Sequence, residues 1–137
     1  MMQTVIFSPV IALAALTTLV AARLAWLRVT GSLKKPGQPG FYDPTNRLEA
    51  PASITNTSDH LKNLFEFPIL FYVVCIISYL TNSVDYMQLG LAWAYVGLRL
   101  VHTAIHITYN MVLHRFGVFI LSFLVLIILW VRLGLAL

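Results

Sequence analysis

Four long apolar stretches alternate with polar connections along this chain. The first runs from Thr4 to Leu27, the second from Leu61 to Leu80, the third from Met87 to Leu113 and the fourth from Phe116 to Leu137. Each is close to the roughly 20 residues a helix needs to cross a bilayer. With their flanks they predict helices over 4–29, 59–81, 86–112 and 116–137, the second opening on the N-cap pair Ser58-Asp59. The stretch 30–58 carries Gly31, Pro36, Gly37, Pro39, Gly40, Pro44 and Pro51, which predicts a loop with no helix of its own.

One interruption of the apolar pattern is regular. Tyr95, Arg99, His102, His106 and Tyr109 step by four, three, four and three residues through the third stretch. At 3.6 residues per turn that spacing predicts one helix face. Ionisable groups at membrane depth are costly, so such a stripe marks a candidate functional site. Tyr95, together with Trp93, Trp130, Tyr79 and Tyr86, lies toward a segment end and reads as an interfacial belt residue.

Composition agrees with a membrane setting. Of the 137 residues 59% are apolar and 10% charged, with a mean hydropathy of +0.83. A soluble globule would carry about a quarter charged residues, so the expected class is an all-α integral membrane protein, a four-transmembrane-helix bundle of one domain over 1–137. The first stretch has no basic residue before it and is longer than a signal core, which favours a retained helix. The lone Cys75 lies mid-stretch and reads as a packing residue. Arg23, Arg28, Lys34, Lys35, Arg47 and Lys62 cluster around the first connection and Arg115 in the third. The positive-inside rule therefore predicts both of these connections in the cytoplasm and both termini on the other side. The net charge of +4 is explained by topology and anionic headgroups, and no nucleic-acid partner is expected.

The second helix supplies partners for the stripe. Asn63 and Glu66 are three residues apart, and Glu66 is the one carboxylate inside the four stretches. By the helix rise, Asn63 and Glu66 lie roughly 6 and 10 Å from the end near Asp59. His106, His102 and Arg99 lie roughly 7, 13 and 18 Å from the end near Met111. Glu66 is thus expected to face Arg99 and the two histidines, with Arg115 and Lys34 or Lys35 at the mouth. Pro68 cannot donate to the Leu64 carbonyl, which predicts a bend beside Glu66.

These residues in this order resemble the MAPEG family, the membrane-associated proteins of eicosanoid and glutathione metabolism. The likeness rests on Asn63-x-x-Glu66 followed by a proline, Arg99-x-x-His102, and Arg115 at the last turn. The run Arg99-Leu100-Val101-His102-Thr103 is similar to the third helix of the prostaglandin E synthase branch. The resemblance implies a homotrimer of four-helix bundles in a bacterial inner membrane, with glutathione as cosubstrate between protomers near the cytoplasmic side. It implies glutathione-lining roles for Asn63, Glu66, Arg99 and His102. It also implies that Arg115 stabilises the thiolate as the catalytic residue, and that Lys34 takes the place of an arginine at the end of the first helix. His106 stands where a tyrosine is expected, with Tyr109 one turn on, and Pro68 follows Glu66 by two residues where many relatives have three.

The chemistry implied is a glutathione-dependent transferase or peroxidase acting on lipophilic molecules that arrive from the lipid. Arg99 and Arg115 suit carboxylate or thiolate, and Glu66 suits the ammonium. A second reading is a non-catalytic protein of the same fold that binds a lipid or other small ligand between protomers. His102 and His106 have metal-ligating spacing, but Arg99 beside them opposes a cation, so no metal is expected. A small multidrug exporter would need a carboxylate in the first helix, which has none.

Overall fold

The computed structural model describes residues 2–137. All regular structure among them is helical. A 3-10 turn, Gln3–Ile6, leads into α1 (Phe7–Ser32), and a second, Arg47–Glu49, precedes α2 (Ala52–Glu66). α3 (Pro68–Leu80) continues α2 after the single residue Phe67. α4 (Tyr86–Ile107) and α5 (Val112–Ala136) complete the bundle. Counting α2–α3 as one helix interrupted at Phe67, four helices run up and down.

Gln3–Ser32, Ala52–Leu80 and Val112–Ala136 are long and apolar enough to cross a membrane, so three spans meet that criterion among the described residues, where four were expected. α4 has the length, 22 residues. What it lacks is apolarity, because Gln88, Arg99, His102, Thr103 and His106 sit within it. The bundle is clad in apolar side chains: Ile11, Leu19, Trp26, Ile69, Ile76, Leu121 and Leu124 are all exposed. That is the surface of a protein whose outer solvent is lipid. The chain is an integral membrane protein.

One core joins all the long helices. It contains Leu13, Leu16 and Val20 of α1, Phe71, Val74 and Cys75 of α3, Ala92, Tyr95 and Val96 of α4, and Leu126, Leu129 and Leu133 of α5. Cys75 packs there as expected. Tyr95 does not behave as a belt residue: it is 1% exposed, its ring stacked on Phe71 with centroids 4.6 Å apart.

Three boundaries differ from the sequence expectation by four residues or more. α2 begins at Ala52, seven residues before the predicted 59, because Pro51 supplies the extended residue that precedes a helix. Its first two turns are polar but bury Ile54, Thr57 and His60, so the predicted N-cap pair Ser58-Asp59 lies inside the helix. α4 ends at Ile107, well short of 112. Asn110 adopts φ 47°, a left-handed conformation that asparagine tolerates, and its N–H bonds back to the Ile105 carbonyl at 2.8 Å. α5 consequently starts at Val112, and Arg115 belongs to its first turn instead of to a loop.

The connection between α1 and α2 is folded onto α1. The Tyr42 amide donates to the Gly31 carbonyl at 3.1 Å, and Tyr42 packs with Leu24 and Ile54 in a second small cluster. A Cβ at Gly31 would sit 2.8 Å from the Tyr42 Cβ and 2.9 Å from the Gly40 carbonyl, so this close approach requires glycine. Nearby, Asp43 accepts from the Thr45 hydroxyl (2.6 Å) and amide (2.8 Å), and these bonds hold its carboxyl below the ordinary 3.8. At the opposite end of the bundle, Asp85 caps α4 through the Gln88 amide and pairs with Arg132 at 2.6 Å.

Candidate functional site

The polar side chains of α2 and α4 meet inside the bundle near the end that carries the α1–α2 connection. α4 turns Arg99, His102 and His106 inward, 0%, 2% and 6% exposed. The stripe is therefore one packed face as far as His106. Tyr109 lies beyond the helix end, exposed, its hydroxyl 3.1 Å from Nδ1 of His114.

Asn63 is the partner of Arg99. A guanidinium nitrogen of Arg99 donates to the Asn63 side-chain oxygen and, at 3.4 Å, to the Asn63 carbonyl. The second bond lands one residue before Leu64, whose carbonyl Pro68 leaves without an intrahelical donor. Glu66 does not pair with Arg99, contrary to the sequence expectation. Its side chain is exposed and lines a separate cavity with Leu24, Arg28 and Lys62. Asn63 and Glu66 are three residues apart, about 60° round a helix of 3.6 residues per turn. The edge of the packed face falls between them. Among the described residues Arg99 thus has no counter-ion, and its Nε and second terminal nitrogen lack a protein partner although buried.

The sequence reading missed His60. It is fully buried, and its ring lies 4.9 Å from that of His106 and 5.3 Å from that of His102, centroid to centroid. Its Nε2 is 2.7 Å from the Thr103 hydroxyl. That hydroxyl has one proton, and it donates it to the Arg99 carbonyl at 2.8 Å. Nε2 of His60 must then be the donor, which leaves Nδ1 as an acceptor. Nδ1 of His60, His102 and His106 are all buried and without a protein partner. The signal that could have found His60 is its place three residues before Asn63, on the face that also buries Thr57 and Leu64.

In front of this cluster lies a cavity of about 220 Å³. α2 contributes Asp59 and Asn63, α4 contributes His102 and His106, and α5 contributes Val112, Arg115, Phe116 and Phe119. Arg115 is half-buried and is steadied by Asn110, whose side-chain oxygen accepts from it at 2.8 Å. The residue whose left-handed turn ends α4 therefore also aims the cation at the mouth. Phe119 packs against His102 and Phe67, so the α5 wall is aromatic.

A model of the MAPEG family matches residues 5–135. The chain belongs to the MAPEG family. No curated protein and no solved structure matches it in the same comparisons. Of the residues that the MAPEG resemblance singles out, Asn63, His102, His106 and Arg115 come together on this cavity, with Arg99 directly behind Asn63. Three stand apart. Glu66 faces the other cavity, Tyr109 lies outside, and Lys34 spends its ammonium on the Pro39 carbonyl at 2.7 Å. Asp59, which the sequence reading used as a helix cap, is instead part of the wall.

Among the described residues no group of three or more His, Cys, Asp and Glu is arranged to hold a metal ion. The three imidazoles are close, and the charges around them are Arg99, Arg115 and the single carboxylate Asp59.

Proposed function

We propose that this MAPEG protein is a glutathione-dependent transferase or peroxidase for lipophilic substrates. The observation that carries the reading is the cavity in which Arg115, Asn63, His102 and His106 meet Phe116 and Phe119. Such a lining offers donors to a polar thiol peptide on one side and an aromatic wall to a greasy reactant on the other. An ordinary thiol has a pKa near 8.5, and an adjacent cation lowers it. Arg115 supplies that charge and is not consumed. In the transferase reaction the thiol gives up its proton and the thiolate attacks an electrophilic carbon. A C–S bond forms as the leaving group departs with its electron pair, or as a π bond opens and takes a proton. A homotrimer in a bacterial inner membrane, with the basic connections in the cytoplasm and both termini outside, is the arrangement proposed with this activity.

The test is glutathione binding and thiolate absorbance of the purified protein in nanodiscs. Wild type is expected to bind at millimolar glutathione or below and to show thiolate at neutral pH. Arg115→Ala is expected to lose conjugation by on the order of ten- to a hundred-fold, the effect of restoring an ordinary thiol acidity. Assembled wild-type protein that binds no glutathione at that concentration would overturn the proposal.

A second reading, a non-catalytic lipid-binding member, is favoured by one feature. An almost wholly apolar groove of about 340 Å³ runs between α3 and α5, along Leu70, Phe123, Leu126 and Trp130. A defined lipid that copurifies in native mass spectra and is indifferent to glutathione supports it.

A further inference from the structure

The ammonium group of a bound thiol peptide raises a question of charge that the cavity itself answers. Its cations, Arg115 in the wall and Arg99 behind Asn63, suit the carboxylates and the sulfur. An ammonium among them needs a carboxylate. Among the described residues the lining contains one, Asp59. Of the neutral acceptors, the Asn63 side-chain oxygen is already engaged by Arg99. Glu66, the carboxylate that the sequence favours, does not line this cavity and opens onto a different one, whereas Asp59 borders both this cavity and a neighbouring one lined by Arg28, Arg47 and Lys62.

We propose that Asp59, in place of Glu66, receives the ammonium of the thiol substrate, so that the cavity selects thiols bearing a primary amine. This rests on the glutathione reading above. Asp59 is well placed for exchange. Its present partner is Lys62, 3.3 Å away and three residues on, with both side chains more than 60% exposed. An exposed ion pair of this kind is weak and gives way to a ligand at little cost. Asp59 projects from α2 and Arg115 from α5, so the two ends of a zwitterionic ligand are held by opposite walls. Asp59 lies one helical turn before Asn63, at the level where the first turn of α5 adds Val112 and Arg115 to the cavity lining. Glu66 points in nearly the same direction but lies two turns from Asp59 and is not part of that lining.

The experiment compares glutathione with its des-amino analogue, glutaryl-cysteinyl-glycine, on wild type, Asp59→Asn and Glu66→Gln in nanodiscs. A charge-assisted hydrogen bond corresponds to about ten- to a hundred-fold in affinity, so wild type is expected to prefer glutathione by that factor. Asp59→Asn is expected to bring the two thiols within about two-fold of each other, while Glu66→Gln keeps the preference. Lys62→Met, which frees Asp59, is expected to tighten glutathione and leave the analogue unchanged. A preference that survives Asp59→Asn, or collapses in Glu66→Gln, overturns the assignment to Asp59. So does wild type that binds both thiols equally, with the glutathione reading intact. Wild type that binds neither thiol overturns that reading, and this inference with it.

Discussion

Arg99 is fully buried, and its guanidinium donates to one residue, Asn63, through a side-chain oxygen and a carbonyl at 3.4 Å. Two single substitutions break this contact unequally. Asn63→Leu leaves a buried cation with one long backbone bond, a situation that costs about 3–5 kcal/mol. Arg99→Met removes the cation and strands a neutral amide, at about 1–3 kcal/mol. The double variant replaces both by apolar groups of similar length and is expected within about 1 kcal/mol of wild type, or more stable. The cycle should therefore give a coupling of about 2 kcal/mol or more. An ordinary interhelical hydrogen bond in a membrane protein gives about 0.6 kcal/mol, so the magnitude separates the two cases. The assay is reversible unfolding in mixed micelles by rising denaturing detergent, followed by helical circular dichroism. The reasoning fails if Arg99→Met is the worse single variant, or if the two losses simply add.

Three further outcomes are expected. His60 should be the Nε2–H tautomer in solid-state nitrogen NMR, because the Thr103 hydroxyl proton is committed to the Arg99 carbonyl; an Nδ1–H signal would contradict this. Gly31→Ala should destabilise by about 1–3 kcal/mol and speed proteolysis in the 33–51 connection, while Gly97→Ala, with open space around it, should leave proteolysis unchanged. The Asp43 carboxyl is held low in the folded turn, so the turn is favoured above the ordinary carboxylate value and loosens as pH falls through the lowered one. Thr45→Val should move the Asp43 titration, read by NMR, back toward 3.8; an unmoved titration would rule out the hydroxyl as the main cause.

Much of this was legible in the pattern of residues. The spacing of Arg99, His102 and His106 fixed an inward face. The Asn63–Arg99 contact was not legible from depth, because α2 starts earlier and α4 ends earlier than the apolar pattern predicts. Legibility stopped where polarity changed its meaning. The first turns of α2 look like loop because Ser53, Asn56 and Ser58 dominate them, yet Ile54, Thr57 and His60 form a buried row. Asn63 and Glu66 look equivalent by spacing, and the packing edge between them depends on how α2 is rotated against α4 and α5. Sequence periodicity does not set that rotation. Tyr109 keeps the stripe's step on paper, but the asparagine turn ends the helix first.

The helix that houses the candidate site is also the one whose own sequence gives least reason to enter a bilayer. α1, the α2–α3 helix and α5 each meet the criterion for a span, and α4 does not. Arg99, His102 and His106 become tolerable in hydrocarbon when α2 and α5 cover them. α5 follows α4 in the chain, so part of this cover comes from a segment made after the helix it covers. Burial of the α4 polar face and assembly of the pocket therefore depend on the same contacts.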